Sequence, residues 1–243
     1  MLKRVLVLGL VAFAAPAAAQ NMTYDDCAAM VDRSPATAEK KAAAWQIHGG
    51  GGAAMHCHAL ALYALKRYDE AARVLDALGR NRDVPDGDRA SLFDQAGSAW
   101  LQAGKAHEAV QSFTAALADK PNDLSLLASR ARARGITKDW KGADADLSAA
   151  LIQDQNRADL LVLRASARWA MGRKADSASD IVRALEVYPD YPSALVERGK
   201  MKYSAGDLTG ARKDWQRAAA TGRGQTAADA KRYLSESQDK GGR

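Results

Sequence analysis

A register of 34 residues runs through this chain and limits what it can become. Counted from Ala90 and restarted at Leu124, Ala158 and Pro192, the eighth slot reads Gly97, Ala131, Ala165, Gly199. The twentieth reads Ala109, Ala143, Ser177, Ala211, and the twenty-seventh Ala116, Ala150, Ala184, Ala218. All twelve are small. Ala, Gly and Ser make up about a third of the chain, so chance supplies such a register roughly once in 10⁵ trials or fewer. Large residues recur as well: Phe93, Leu127, Leu161, Leu195 at slot four, and Phe113, Leu147, Ile181, Trp215 at slot twenty-four. Bulky side chains facing small ones let two helices approach to ~8–10 Å. Gly104, Gly172 and Gly206 fall where each hairpin must turn, and Pro121 and Pro189 end two second helices. Few aromatics, rare Pro and abundant Ala suit packed helices, and no alternating β-branched run is long enough for a strand.

Phe93-x₂-Ala96-Gly97-x₂-Trp100, then Ala109-x₃-Phe113 and Pro121, resembles the tetratricopeptide repeat (TPR). A more divergent unit precedes it, in which Arg67-Tyr68-Asp69-Glu70-Ala71 looks like the family's turn into the second helix. Ala71 lies 38 residues before Ala109, so the connection from Arg80 to Asp88 is about four residues longer than elsewhere. The resemblance implies an all-α fold: a right-handed α-solenoid of about five helical hairpins with helical caps at both ends. The repeats are expected at 53–85, 90–123, 124–157, 158–191 and 192–225, making a solenoid over 53–225. An N-terminal cap occupies 20–52, where Thr23 with Asp26 opens one helix and Ser34-Pro35 a second, before Gly49 to Gly52 break the chain. A capping helix and tail fill 226–243, with Ala227, Ala230 and Leu234 on one stripe.

Residues 1–19 read as a signal peptide: Lys3 and Arg4, an apolar run from Val5 to Ala15, and Ala17-Ala18-Ala19, with cleavage expected between Ala19 and Gln20. The run is too short for a transmembrane helix, which needs ~20 apolar residues. The product is expected to be soluble, secreted and, in a Gram-negative bacterium, periplasmic, with no membrane insertion after cleavage. The 224 remaining residues hold 33 basic and 29 acidic side chains, a net charge of +4. Nucleic-acid binding would want a more basic face, and none is expected.

Cys27 and Cys57 are expected to form a disulfide in an oxidising compartment. The rival is metal binding through His56, Cys57 and His58, with His48 nearby. Adjacent helical residues diverge by ~100°, so those three cannot converge on one ion without unwinding, and no metal is expected. His48-Gly49-Gly50-Gly51 superficially matches an oxyanion segment but lacks the G-x-S-x-G elbow that gives it meaning. There is no P-loop, H-E-x-x-H or C-x-x-C, and no cofactor or enzymatic activity is expected.

By the resemblance, a partner lies in the concave groove, whose lining slots hold Asp94, Ser98, Arg132, Trp169, Lys200 and Tyr203. The Lys/Asn clamp by which some members hold a partner's terminal carboxylate is absent, slot five reading Asp94, Ala128, Val162, Val196. Arg132, Lys200 and Tyr203 suggest a mildly basic, part-aromatic surface suited to an acidic or aromatic segment, beside the bland reading of a solvated face. Trp100 and Trp215 take core slots, whereas Trp169 is open between core and ligand contact. Slot seven is Arg130, Arg164, Arg198 where slot twenty-three is Asp146, Asp180, Asp214, and the other repeats lack both. These slots lie at similar heights on two antiparallel helices, so each pair is expected to form a structural Arg–Asp bridge. The function implied is a non-catalytic periplasmic scaffold or adaptor binding a protein or peptide. The alternatives are a metal-handling protein using His56, Cys57 and His58, or an accessory subunit of an envelope enzyme.

Overall fold

The structure, a computed structural model, describes residues 22–81, 84 and 86–239. The expected signal peptide with its cleavage point, the Pro85 end of the first repeat and residues 240–243 lie outside the described residues. Within them the chain is all helix: α1 Tyr24–Arg33, α2 Pro35–Ile47, α3 Gly51–Ala64, α4 Tyr68–Gly79, α5 Asp86–Gln102, α6 Ala106–Asp119, α7 Leu124–Ile136, α8 Trp140–Gln153, α9 Ala158–Ala170, α10 Lys174–Val187, α11 Pro192–Ser204, α12 Leu208–Thr221 and α13 Gly224–Asp239. No strand occurs among the described residues. Two compact units divide at Leu78/Gly79. The divergent first hairpin, α3 and α4, which the register assigns to the solenoid, groups with α1 and α2.

In the first unit Thr23 and Asp26 close a capping box on α1, satisfying donors that a bare helix start would leave open. Cys27 and Cys57 are joined across α1 and α3 with a Cα–Cα distance of 6.2 Å. Both are fully buried with Ala42, and Met22, Tyr24, Val31 and Trp45 pack around them. The loop so closed spans 30 residues, a chain-entropy restraint of about 3–4 kcal/mol on the unfolded state.

In the second unit α5/α6, α7/α8, α9/α10 and α11/α12 are hairpins, and α13 packs on α11 and α12. Every turn inside a hairpin uses one left-handed residue: Gly104, Gly172 and Gly206, but Lys138 at φ 64° in the α7–α8 turn. The residue after each returns its N–H to the carbonyl five positions earlier, as in Lys105 to Trp100 and Arg173 to Arg168, which satisfies helix-end carbonyls.

Slots eight and twenty-four explain how closely the paired helices approach. Gly97 lies so near Phe113 that a Cβ would sit 2.7 Å from its ring, and one at Gly199 would sit 2.3 Å from the Trp215 indole nitrogen. Where slot twenty-four is aliphatic, Leu147 or Ile181, slot eight has room for Ala131 or Ala165. Trp215 is 1% exposed and donates its indole N–H to the Val196 carbonyl at 3.2 Å. Its other face stacks on Tyr233 of α13, ring centroids 5.3 Å apart, so α13 covers the last hairpin's apolar end.

Two glycine substitutions separate packing from backbone geometry. Gly199→Ala should lower unfolding stability by about 1–3 kcal/mol through collision with Trp215. Gly172→Ala, whose methyl would meet nothing within 4 Å, should cost about 1 kcal/mol, the left-handed backbone penalty alone. Urea denaturation followed by circular dichroism measures both. In a Trp215→Leu background the Gly199→Ala loss should largely disappear, whereas the Gly172→Ala loss should not change.

Candidate functional site

The first helices of the second unit, α5, α7, α9 and α11, pack in sequence and carry all six residues expected in the groove. Asp94 is half-buried and Ser98 exposed one turn later on α5, while Arg132 is exposed on α7. Trp169 on α9, and Lys200 and Tyr203 on α11, are half-buried. Their electrostatics differ from a uniformly basic strip. The Lys200 ammonium donates to both carboxylate oxygens of Glu197, at 2.8 and 3.0 Å, which cancels its charge locally. The Lys174 ammonium lies 5.4 Å above the Trp169 ring. Tyr203 leans on the buried Trp215, ring centroids 5.7 Å apart, and so is partly a packing residue. Asp94 and Arg132 make no hydrogen bond or ion pair among the described residues. Burial, and then the Asp123 carboxylate, push the Asp94 carboxyl above its ordinary value.

Slot seven behaves differently. Arg130 donates from Nε and Nη2 to the two oxygens of Asp146 at 2.9 and 2.7 Å. Arg164 does the same to Asp180 at 3.0 and 2.7 Å, and Arg198 to Asp214 at 2.8 and 2.7 Å. Each aspartate is buried. Each also takes a second cation from slot eleven of its own repeat: Arg134 to Asp146 at 2.7 Å, Arg168 to Asp180 at 2.8 Å and Lys202 to Asp214 at 2.9 Å. Sequence reasoning missed this second partner although the signal was present. Slot eleven is cationic in the three repeats that have the aspartate and is Trp100 in α5, which lacks it. Two of the arginines also reach backwards, Arg130 to the Thr114 hydroxyl at 3.3 Å and Arg164 to the Ser148 hydroxyl at 3.2 Å. The clamp therefore ties each of these three hairpins internally, and in two of them it also reaches the preceding hairpin.

Comparison with known proteins meets this geometry at the level of the repeat. The tetratricopeptide-repeat family model matches residues 58–123 and 162–230, more than half of the chain. The chain belongs to the tetratricopeptide-repeat family. A curated relative, RNA polymerase II-associated protein 3 of Rattus norvegicus, is 27% identical over 116 residues, which are 48% of this chain and 18% of the relative. Less than a fifth of that relative's length is thus spanned. Among solved structures, YrrB, described as a TPR protein with an unusual peptide-binding site, superposes with a TM-score of 0.62 at 16% identity, covering 72% of this chain and 90% of its own. MamA residues 41 to the end, from Desulfovibrio magneticus RS-1, gives a TM-score of 0.59 at 15% identity, covering 73% of this chain and 99% of its own. At these identities the likeness is one of fold.

In this TPR chain the metal reading meets an obstacle. The Cys57 sulfur is consumed by the disulfide with Cys27. The His56 ring stacks on Tyr24, with Nδ1 2.8 Å from the phenol oxygen, while His58 Nε2 lies 3.7 Å from the Glu39 carboxylate. The three side chains thus serve three separate contacts. Among the described residues no group of three or more His, Cys, Asp or Glu could hold an ion, and no helix is long and apolar enough to cross a membrane.

The clamps have measurable consequences. A double-mutant cycle on Arg164 and Asp180 should give a coupling energy of at least about 1 kcal/mol. Coupling near zero would make the slot-seven arginines ordinary surface charges. At Asp214, burial pushes the carboxyl up, but hydrogen bonds from Arg198 and then Lys202 outweigh it and leave it below its ordinary value. A depressed folded value means that the stabilisation is complete above the unfolded value of ~3.9. It is lost as pH falls through the folded value. Denaturation midpoints measured from about pH 6 down to about pH 2 should fall more steeply for the parent than for Asp214→Asn.

Proposed function

We propose that this chain is a non-catalytic interaction scaffold whose α5, α7, α9 and α11 face holds a segment of a partner protein. One observation on α7 carries the reading. Arg130, Arg132 and Arg134 follow at alternate positions; the outer two are bound to Asp146, whereas Arg132 is exposed and makes no hydrogen bond or ion pair among the described residues. A guanidinium left unused beside two that build the fold is a contact available to another molecule, and arginine is enriched where partners bind. Trp169 supplies an aromatic surface on the next first helix, and Asp94 an unpaired carboxylate on the preceding one. The partner segment therefore presents an acidic group to Arg132 and a basic one to Asp94, with an apolar or aromatic side chain against Trp169. With Lys200 neutralised by Glu197, the segment need not be acidic throughout. The peptide-binding site named for YrrB, a fold relative, is consistent with this use of the architecture.

The same reading includes export. Lys3, Arg4, the apolar run to Ala15 and the alanines before Gln20 form the signal that supports it, and the paired cysteines suit an oxidising compartment such as the periplasm.

The test is capture by crosslinking in the native compartment, comparing the parent with Arg132→Ala/Trp169→Ala/Lys200→Ala. The triple variant should lose the captured protein while its helical circular dichroism is unchanged. Undiminished capture would remove this face from consideration. Loss of capture together with helicity would mean that these side chains hold the fold.

A further inference from the structure

A hollow of about 510 Å³ opens between α8 and α10, the second helices of two successive hairpins, with Leu161 and Arg164 of α9 among its walls. Ile152 of α8 and Val182 of α10 both line it, and they are 79% and 54% exposed. The register shows that hairpin packing requires an aliphatic residue at neither position. Slot twenty-nine reads Ala118, Ile152, Glu186, Ala220, and slot twenty-five Thr114, Ser148, Val182, Gln216. The two departures occur in neighbouring repeats and meet at one hollow. Apolar surface that the fold does not bury, and that equivalent units do without, marks a contact with another molecule.

The charges around this surface balance. Asp180 holds Arg164 at 3.0 and 2.7 Å, and Arg183 donates to Glu186 at 3.1 Å, so the charged residues of the lining cancel in pairs. A strongly acidic or strongly basic partner finds no net attraction there. What fits is a surface that is itself apolar and carries both signs. Arg183 and Glu186 are each about half exposed, and such a pair contributes little as an internal bridge. Arg183 gives one donor to Glu186 and another to Asn156. Its Nε–H is left over, as is the second oxygen of Glu186, so each can take a further partner.

Arg183 and Glu186 lie one turn apart on α10, and an antiparallel copy of that helix presents the same two charges in reverse order. We propose that this hollow is the contact between two copies of the chain, related by a two-fold axis that crosses α10 midway between Arg183 and Glu186. About that axis Arg183 of each copy lies level with Glu186 of the other, and the two Ile152–Val182 patches face one another. A self-complementary patch of this kind is what a two-fold dimer requires. The contact goes beyond the scaffold reading, since it uses second helices and none of the residues assigned to the partner segment.

Sedimentation velocity of the purified chain from about 1 to about 500 µM should show a concentration-dependent monomer–dimer equilibrium. Ile152→Ala/Val182→Ser puts back residues that other repeats carry in those slots. It should raise the dimer dissociation constant at least about tenfold, with helical circular dichroism unchanged. Arg183→Glu alone and Glu186→Arg alone should each be monomeric, because either sets like charges together twice across the axis. An equimolar mixture of the two should dimerise again, since unlike charges then meet at both positions. Neither chain in the mixture has regained its internal Arg183–Glu186 pair, so a merely structural bridge would give no such recovery. A parent that stays monomeric throughout would overturn the proposal, as would parental dimerisation by Ile152→Ala/Val182→Ser or a mixture that remains monomeric. A monomeric parent whose crosslinked partner is lost in Ile152→Ala/Val182→Ser would assign the hollow to a different protein and end the proposal. Capture that depends on Arg132, Trp169 and Lys200 would stand in any of these cases, so the two readings fail separately.

Discussion

Two helices can lie against one another only as closely as their facing side chains permit, and everything else in the second unit follows from that distance. Glycine opposite Phe113 and Trp215, and alanine opposite Leu147 and Ile181, trade volume across the same contact. The sum of the two side chains stays within what a tight hairpin accepts. Once hairpins have similar spacing, successive ones can stack in register, and each apolar flank finds the next. The last flank is closed by α13, where Tyr233 lies on Trp215.

Close approach also sets the electrostatics. A carboxylate at slot twenty-three is carried into the hairpin interface by the packing around it, where an isolated charge would be costly. Two cations answer it, one from slot seven and one from slot eleven of the facing helix. Such a clamp contributes little net stability over an apolar pair, but its fork geometry accepts few alternatives. Its backward hydrogen bonds to Thr114 and Ser148 add a condition on the neighbouring repeat. At the next junction the equivalent residue is Val182, which offers no hydroxyl, and the Arg198 side chain is correspondingly more exposed than Arg130 or Arg164.

This use of charge separates the fold from its candidate binding surfaces. The slot-seven arginines commit their Nε and Nη2 donors to aspartate, which leaves less of each guanidinium to recognise a partner. Among the polar groups outside the clamps, Arg132 and Asp94 make no hydrogen bond or ion pair among the described residues. They occur once each, on individual repeats. A scaffold made of equivalent units acquires specificity through such departures from equivalence.

That difference also marks what could be read from the residues alone. The helical hairpins, their turns, the small and large slots and the Arg–Asp pairing recur every 34 residues, and recurrence exposes a physical requirement shared by all units. The slot-eleven cations recur too and were legible in the same way. The state of the groove was not. Lys200 is paired with Glu197, Tyr203 is turned onto Trp215, and Asp94 is partly desolvated near Asp123, each through the placement of one particular neighbour. Periodicity determined the architecture because packing is common to every unit. Tertiary structure alone decided which polar groups remained available, because hydrogen bonds are satisfied one neighbour at a time.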